Sequence, residues 1–195
     1  AFLAGYSAAL ATKSGKVAMV TTPSNADGYE NGFLLGVTAA KKNVRSFVKY
    51  TATESVVSAK ALITLGIDVI YDATTGSADG LFEAIVKANT SKNRKKNAPE
   101  VNLIIVEPDL YLSVTPATSK YLIASVVKRV DIAVSAIIGK AVNNSQLSDV
   151  IDAKAGIYGH RYGIGDKGIE IVIKSKALAA QTAAINAAAS AAYAN

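Results

Sequence analysis

The sequence predicts an α/β fold, a parallel open sheet with helices on both faces. Two observations predict it. Short, nearly all-apolar runs such as VAMVTT (17–22), DVIYDA (68–73) and VNLIIV (101–106) have the make-up of strands covered on both sides. Stretches of helical spacing separate them, and strand and helix alternate at least four times. That pattern implies parallel strands joined by right-handed crossovers. A flavodoxin-like order, 2-1-3-4-5, suits the first part of the chain.

Each element follows from local chemistry. Residues 1–13 have helical composition, with Phe2, Leu3, Tyr6, Leu10 and many alanines, and Ser14-Gly15 stops the helix. After the strand at 17–22, Pro23, Ser24, Asn25, Asp27 and Gly28 form a turn rich in N-capping residues. A helix is expected over Tyr29 to Lys42. Gly32 and Gly36 lie one turn apart on it and predict close helix–sheet contact. Val44 to Tyr50 is the second strand. Thr53-Glu54-Ser55 opens a helix that runs to Leu65, where Gly66 caps it.

Asp68 to Ala73 leads into Thr74, Thr75, Gly76, Ser77 and Gly80, and a helical pattern (Leu81, Phe82, Ala84, Ile85) follows. Such a strand–loop–helix unit is either a tight βα turn or a cradle whose N–H groups receive a polar ligand. TSKNRKKNAPE (90–100) is a basic, polar loop. Aromatic residues for base stacking are absent from it, so no nucleic-acid partner is expected. VNLIIV then ends at Glu107, Pro108 and Asp109. Two carboxylates at the mouth of a sheet suit a ligand clamp or a simple strand-end turn.

From Ser119 a long helix is expected to about Val142, with Leu122, Val126, Val130, Val134, Ile137 and Ile138 as its apolar stripe. Lys128 and Asp131 fall outside the stripe, three residues apart, and can pair. Asn143 to Asp149 reads as a loop, Gly168 to Ile173 as a last strand, and the lone His160 as a surface residue. The tail from Ala177 to Asn195 carries no charged side chain and is mostly alanine, a strong helix former.

The 195 residues suffice for a real core, with half of them hydrophobic. The net charge of +6 is compatible with anionic partners or a membrane surface. With no cysteine, disulfides and thiolate metal sites are excluded. No cofactor or metal is expected, and no nucleophile–base pair argues for an enzyme. No G-x-G-x-x-G opens the first helix and no P-loop is present. No stretch reads as a signal peptide or membrane-spanning helix. The first residues resemble the inside of a helix, so the chain is expected to begin after a removed segment.

Several segments together resemble the basic membrane protein family. They are FLAGY-SAA…TKSGKVAMV, GYENGFLLGV, DVIYDATTGSADGLFEA, LIASVVKRVD and YGIGDKG, in the order and spacing of that family. Its members are purine-nucleoside receptor lipoproteins, substrate-binding subunits of ABC transporters with a type I periplasmic-binding fold of two lobes. The resemblance implies one lobe plus returning segments. Residues 1–15 would bridge from a first lobe outside this chain, 16–118 form the α/β lobe, 119–176 the long helix and returning strand, and 177–195 the alanine-rich tail.

The resemblance also implies a ligand site. Tyr29 would stack on a base, Gly76, Ser77 and Gly80 would line the ligand, and Glu107, with Asp109 nearby, would take ribose hydroxyls. Lys128 would orient the carboxylate or donate to the sugar. Glu107 is one methylene longer than the family's aspartate, and Pro108 and Leu110 depart from its V-D-x-D-Q pattern. The ligand thus stays open between a purine nucleoside, another nucleoside, a sugar and no ligand at all. The implied partners are that ligand and an ABC permease, in an extracellular, membrane-anchored or cell-surface setting. The alternative expectation is a self-assembling surface or filament subunit, a homo-oligomer formed through an exposed lobe face and the tail.

Overall fold

The computed structural model describes the chain apart from residues 41, 52–54, 75–78, 108–113, 146–148, 153, 155, 161 and 195; at 25–27, 55–57, 79, 149–152, 157, 158, 193 and 194 it describes the backbone alone. The chain divides into two compact units. The first comprises Ala1–Val127 and Ile171–Ala188, the second Lys128–Glu170 and Ala189–Asn195.

The elements run α1 (Phe2–Ala11), β1 (Lys16–Thr21), α2 (Ala26–Ala39), β2 (Arg45–Tyr50), α3 (Ser55–Thr64), β3 (Val69–Ala73), α4 (Asp79–Thr90) and β4 (Asn102–Val106). They continue with α5 (Pro116–Ser119), β5 (Leu122–Lys128), α6 (Val130–Val142), β6 (Asp149–Asp152), β7 (Ile157–Gly159), β8 (Ile169–Ile173), α7 (Lys176–Ala179) and α8 (Thr182–Ala194). One sheet has the order β2-β1-β3-β4-β5-β8, and its first five strands are parallel, in the flavodoxin-like order that the sequence predicts. β8 departs from the all-parallel expectation. Backbone bonds join Lys174 N–H to Ile123 C=O and Arg129 N–H to Gly168 C=O, so β8 runs antiparallel to β5. An antiparallel edge strand on a parallel sheet is a common arrangement.

The parallel registers sort the side chains onto two faces. Met19 pairs with Tyr71 and Thr21 with Ala73, while Ala18 pairs with Ile70 and Val20 with Asp72. The Tyr71 face lies under α1 and α2, where the Phe33 ring stacks on Tyr71 at 5.9 Å between centroids. The other face holds Ala18, Val20, Ile70, Leu103 and Ile105 in one core with Leu62, Leu81 and Ile85 of α3 and α4.

Gly32 and Gly36 meet α1, and not the sheet as their spacing predicts. A Cβ on Gly36 would stand 2.1 Å from the Phe2 carbonyl oxygen, and one on Gly5 would stand 2.1 Å from that of Phe33. Small residues on both helices let the two backbones touch. The turn after α1 is tied down by Asp68, which is buried and accepts from Thr12 Oγ1, Ser14 Oγ (2.8 Å), Lys13 N–H (2.7 Å) and Ser14 N–H (2.9 Å). Gly15 and Gly66, at φ +72° and +79°, close the α1 and α3 ends as read from the sequence.

The long helix expected over 119–142 is two elements. Leu122 to Val126 are buried in β5, and only from Val130 onward is the chain helical. A nearly continuous apolar run, broken by Ser125, satisfies the helical period while it is in fact a strand covered on both faces, and β-branched Ile123, Val126 and Val127 favour the strand. Lys128 therefore ends a strand. The partner of Asp131 is Arg129, through two bonds of 2.9 and 2.7 Å, and Arg129 also reaches Glu170 at 2.6 Å. These bonds lie within the second unit. There the antiparallel β6–β7 hairpin also forms, and exposed His160 meets Tyr162 edge-on at 4.6 Å and Asp166 at 3.5 Å.

Candidate functional site

In a parallel sheet every strand delivers its following loop to the same edge, and ligands bind at the crevice outside the carboxyl ends. Within the first unit that edge is where β1, β3 and β4 end. Tyr29 stands in the first turn of α2, half-buried, shortly after β1. Gly80 is the second residue of α4, which follows β3. Glu107 directly follows β4, half-buried, its N–H on the Val126 carbonyl at 3.1 Å. These three share one edge. Lys128, the exposed last residue of β5, belongs to the second unit. Gly76, Ser77 and Asp109 lie outside the described residues.

Beneath this edge sits a buried polar layer that the sequence reading missed. Asp72, only 4% exposed, accepts from Thr74 N–H at 3.0 Å and from Thr74 Oγ1 at 2.7 Å. Burial holds its carboxyl above the usual carboxylate range, and the two Thr74 bonds partly oppose that rise. The Asp-x-Thr spacing of DAT was the available signal, because an Asx turn binds its own backbone two residues on. It shapes the exit from β3 into the glycine loop. On the opposite face, burial pushes the Tyr71 phenol above its ordinary pKa, and nearby Tyr29 and Asp72 add to the rise. Among the described residues the Tyr71 hydroxyl meets no hydrogen-bond partner.

The arrangement offers an aromatic face, backbone N–H groups at the start of α4 and a carboxylate. Such groups bind and orient a small polar molecule. Among the described residues no cluster of three or more His, Asp or Glu side chains could hold a metal ion.

A mostly parallel sheet covered by helices on both faces, with polar groups at its carboxyl edge, defines the class as an open α/β fold that takes ligands at that edge. The fold matches the crystal structure of a transcriptional activator of the comK gene from Bacillus halodurans, with a TM-score of 0.66 at 17% identity, over 96% of this chain and 61% of that one. The chain belongs to the Bmp family, ABC transporter substrate-binding protein PnrA-like, whose model matches residues 1–190. It is similar to the ABC transporter nucleoside-binding protein BmpA of Lactococcus lactis, 28% identical over 152 residues, which are 72% of this chain and 42% of the relative. It is also similar to a CD4+ T-cell-stimulating antigen of Listeria innocua, 34% identical over 147 residues, 68% of this chain and 40% of the relative. The chain thus spans about two fifths of the length of these curated relatives.

Proposed function

We propose that the chain is the ligand-holding lobe of an extracytoplasmic, membrane-anchored solute-binding protein that delivers a nucleoside to an ABC permease. It binds and releases, without chemistry, by closure of two lobes on the ligand. The observation that carries this reading is the shared carboxyl edge of Tyr29, Gly80 and Glu107 in a chain of this family. The name of the Lactococcus relative supports a nucleoside over a free sugar. Tyr29 offers its ring to the base. Gly80, at the start of α4, and Gly76 and Ser77 before it in sequence offer N–H groups, and Glu107, with Asp109 beside it in sequence, accepts sugar hydroxyls. Lys128 supplies the cation that the family motif SVVKRVD carries.

Isothermal titration of inosine, guanosine and adenosine into a form extended by the family's first lobe tests this. One of the three gives saturable heat, and Tyr29→Ala or Glu107→Gln weakens it by about tenfold or more. Absence of heat with all three overturns the ligand assignment.

One observation favours a second reading, a self-assembling subunit. Val130, Val134, Ile137, Ile138 and Val142 line one face of α6 and are exposed, Val142 by 76%. An apolar stripe of that length seeks cover. Sedimentation equilibrium separates the readings. Concentration-dependent association abolished by Ile138→Glu supports assembly, and a clean monomer counts against it.

A further inference from the structure

The amino edge of the first unit's sheet holds a cavity of about 140 Å³ that the nucleoside reading does not use. Ile63, Ile67, Ala88 and Val101 give it an apolar floor, and Ala98 and Pro99 close one wall. The pocket is half open to solvent, and its volume is comparable with the roughly 150 Å³ that admits a benzene-sized guest in engineered cavities. The volume is far below the roughly 300 Å³ or more of a drug-sized pocket, so a nucleoside does not fit it.

The charges around the cavity are unbalanced. Arg94 lines it, and one guanidinium N–H is bonded to the Ala98 carbonyl, which folds the side chain back against its own loop. A guanidinium has further N–H donors to offer. Lys16 holds its ammonium near the rim, 2.8 Å from the Leu65 carbonyl and 3.6 Å from the position a Cβ on Gly66 would take. The nearby acids are committed. Asp68 lines the cavity, and four neutral donors of the Thr12–Ser14 turn hold its carboxylate in place without cancelling its charge, which the two cations Arg94 and Lys16 outnumber. Glu100 pairs with Lys120 at 3.4 Å. Lys92, Lys95 and Lys96 add to the positive balance of the same loop.

We infer that this cavity is a second binding site, for a compact carboxylate with an apolar body the size of a benzene ring. The body fills the Ile63–Val101 floor and the carboxylate meets Arg94 in a charge-assisted pair. A neutral apolar guest leaves the cation unused, and a bare inorganic anion leaves the floor empty.

Methyl-resolved NMR of the full 195-residue chain, titrated with benzoate and with the neutral isostere benzyl alcohol, tests the site. Benzoate shifts the Ile63, Ile67 and Val101 methyls and binds at least about fivefold tighter than benzyl alcohol at low salt. Arg94→Gln removes that preference while keeping the native methyl spectrum. Ala88→Leu fills the floor and abolishes both titrations, and Ala98→Leu, on the loop, serves where Ala88→Leu fails to fold. Equal binding of the two probes, an unchanged preference in Arg94→Gln, or no shift at these methyls up to about 10 mM overturns the inference. Nucleoside binding at the opposite edge is measured separately, so its failure leaves this test intact.

Discussion

Replacing Gly5 or Gly36 by alanine tests how closely α1 and α2 are packed. Alanine is the better helix former by about 1 kcal/mol, so propensity alone predicts stabilisation. The structure predicts the opposite. The new Cβ would stand 2.1 Å from the Phe33 carbonyl oxygen (Gly5) or from the Phe2 carbonyl oxygen (Gly36). Both distances are more than an ångström short of the 3.4 Å of ordinary contact. The obstacle is helix backbone, so no side-chain rotation relieves it, and the helices must part. Parting them loosens Leu3, Ala4, Ala8 and Phe33, all buried. Overpacking of this kind costs about 1–3 kcal/mol, more where backbone must move. A cost at the upper end, less the propensity gain, leaves a net loss of about 2 kcal/mol. Urea unfolding followed by circular dichroism should show a midpoint lowered by about 1 M at an unchanged slope of roughly 2 kcal/mol/M. Gly28→Ala is the internal control, since among the described residues nothing lies within 4 Å of its Cβ position on the same helix. It should be neutral or slightly stabilising. The double variant Gly5→Ala/Gly36→Ala should lose less than the sum, because one separation relieves both contacts. If either single variant is as stable as the parent, α1 does not rest on α2 at this distance.

Two further predictions concern buried carboxylates. Asp68→Ala strands two backbone N–H groups and two hydroxyls in the Thr12–Ser14 turn and should cost about 3–4 kcal/mol, each bond to a charged acceptor contributing about 1.5–3 kcal/mol before local re-pairing. Urea unfolding reads it, and a loss under about 1 kcal/mol refutes the clamp. Burial raises the pKa of Asp72. A raised carboxyl binds its proton more tightly when folded, so its contribution is full below the unfolded-state value near 3.9 and is lost as pH rises through the folded value. Asp72→Asn keeps an acceptor for Thr74 and removes that loss. Its stability relative to the parent should therefore grow as pH is raised from 4 to 7, and a gap that stays constant or shrinks refutes the burial effect.

How much of this was legible in the sequence depends on how many physical cues agreed at each place. β1, β3 and β4 were readable because short runs like VAMV and LIIV are rich in β-branched residues and too brief for a helix, and Gly15 and Gly66 mark the stops just before β1 and β3. Gly32 and Gly36 announced a close approach but not to what. The answer required Gly5, on a helix whose buried side the alanine-rich sequence does not mark. Asp68 and Asp72 look alike in DVIYDA. One ties a turn 54–56 residues earlier and the other its own loop two residues on, and only the second is a local pattern.

The segment from Leu122 to Val142 shows why period alone misleads. Apolar residues recur every four positions throughout, yet Leu122 to Val126 are all buried, and no residue of α6 is. The same spacing thus belongs first to a core strand, where every position from Leu122 to Val126 is buried and all but Ser125 are apolar, and then to a helix with an unburied stripe. The change occurs over Lys128-Arg129, the first charged pair in the run, where Arg129 turns to Asp131 and Glu170. Moving Lys128 from the flank of a helix to the end of a strand also changes what it can do. A helix-surface lysine is usually solvated, whereas the last residue of a sheet strand stands where α/β folds receive ligands. The role proposed for that lysine rests on the family motif, and Lys128→Met is the variant that isolates it. Nucleoside affinity should fall with the unfolding midpoint unchanged, and an unchanged affinity would remove Lys128 from the site.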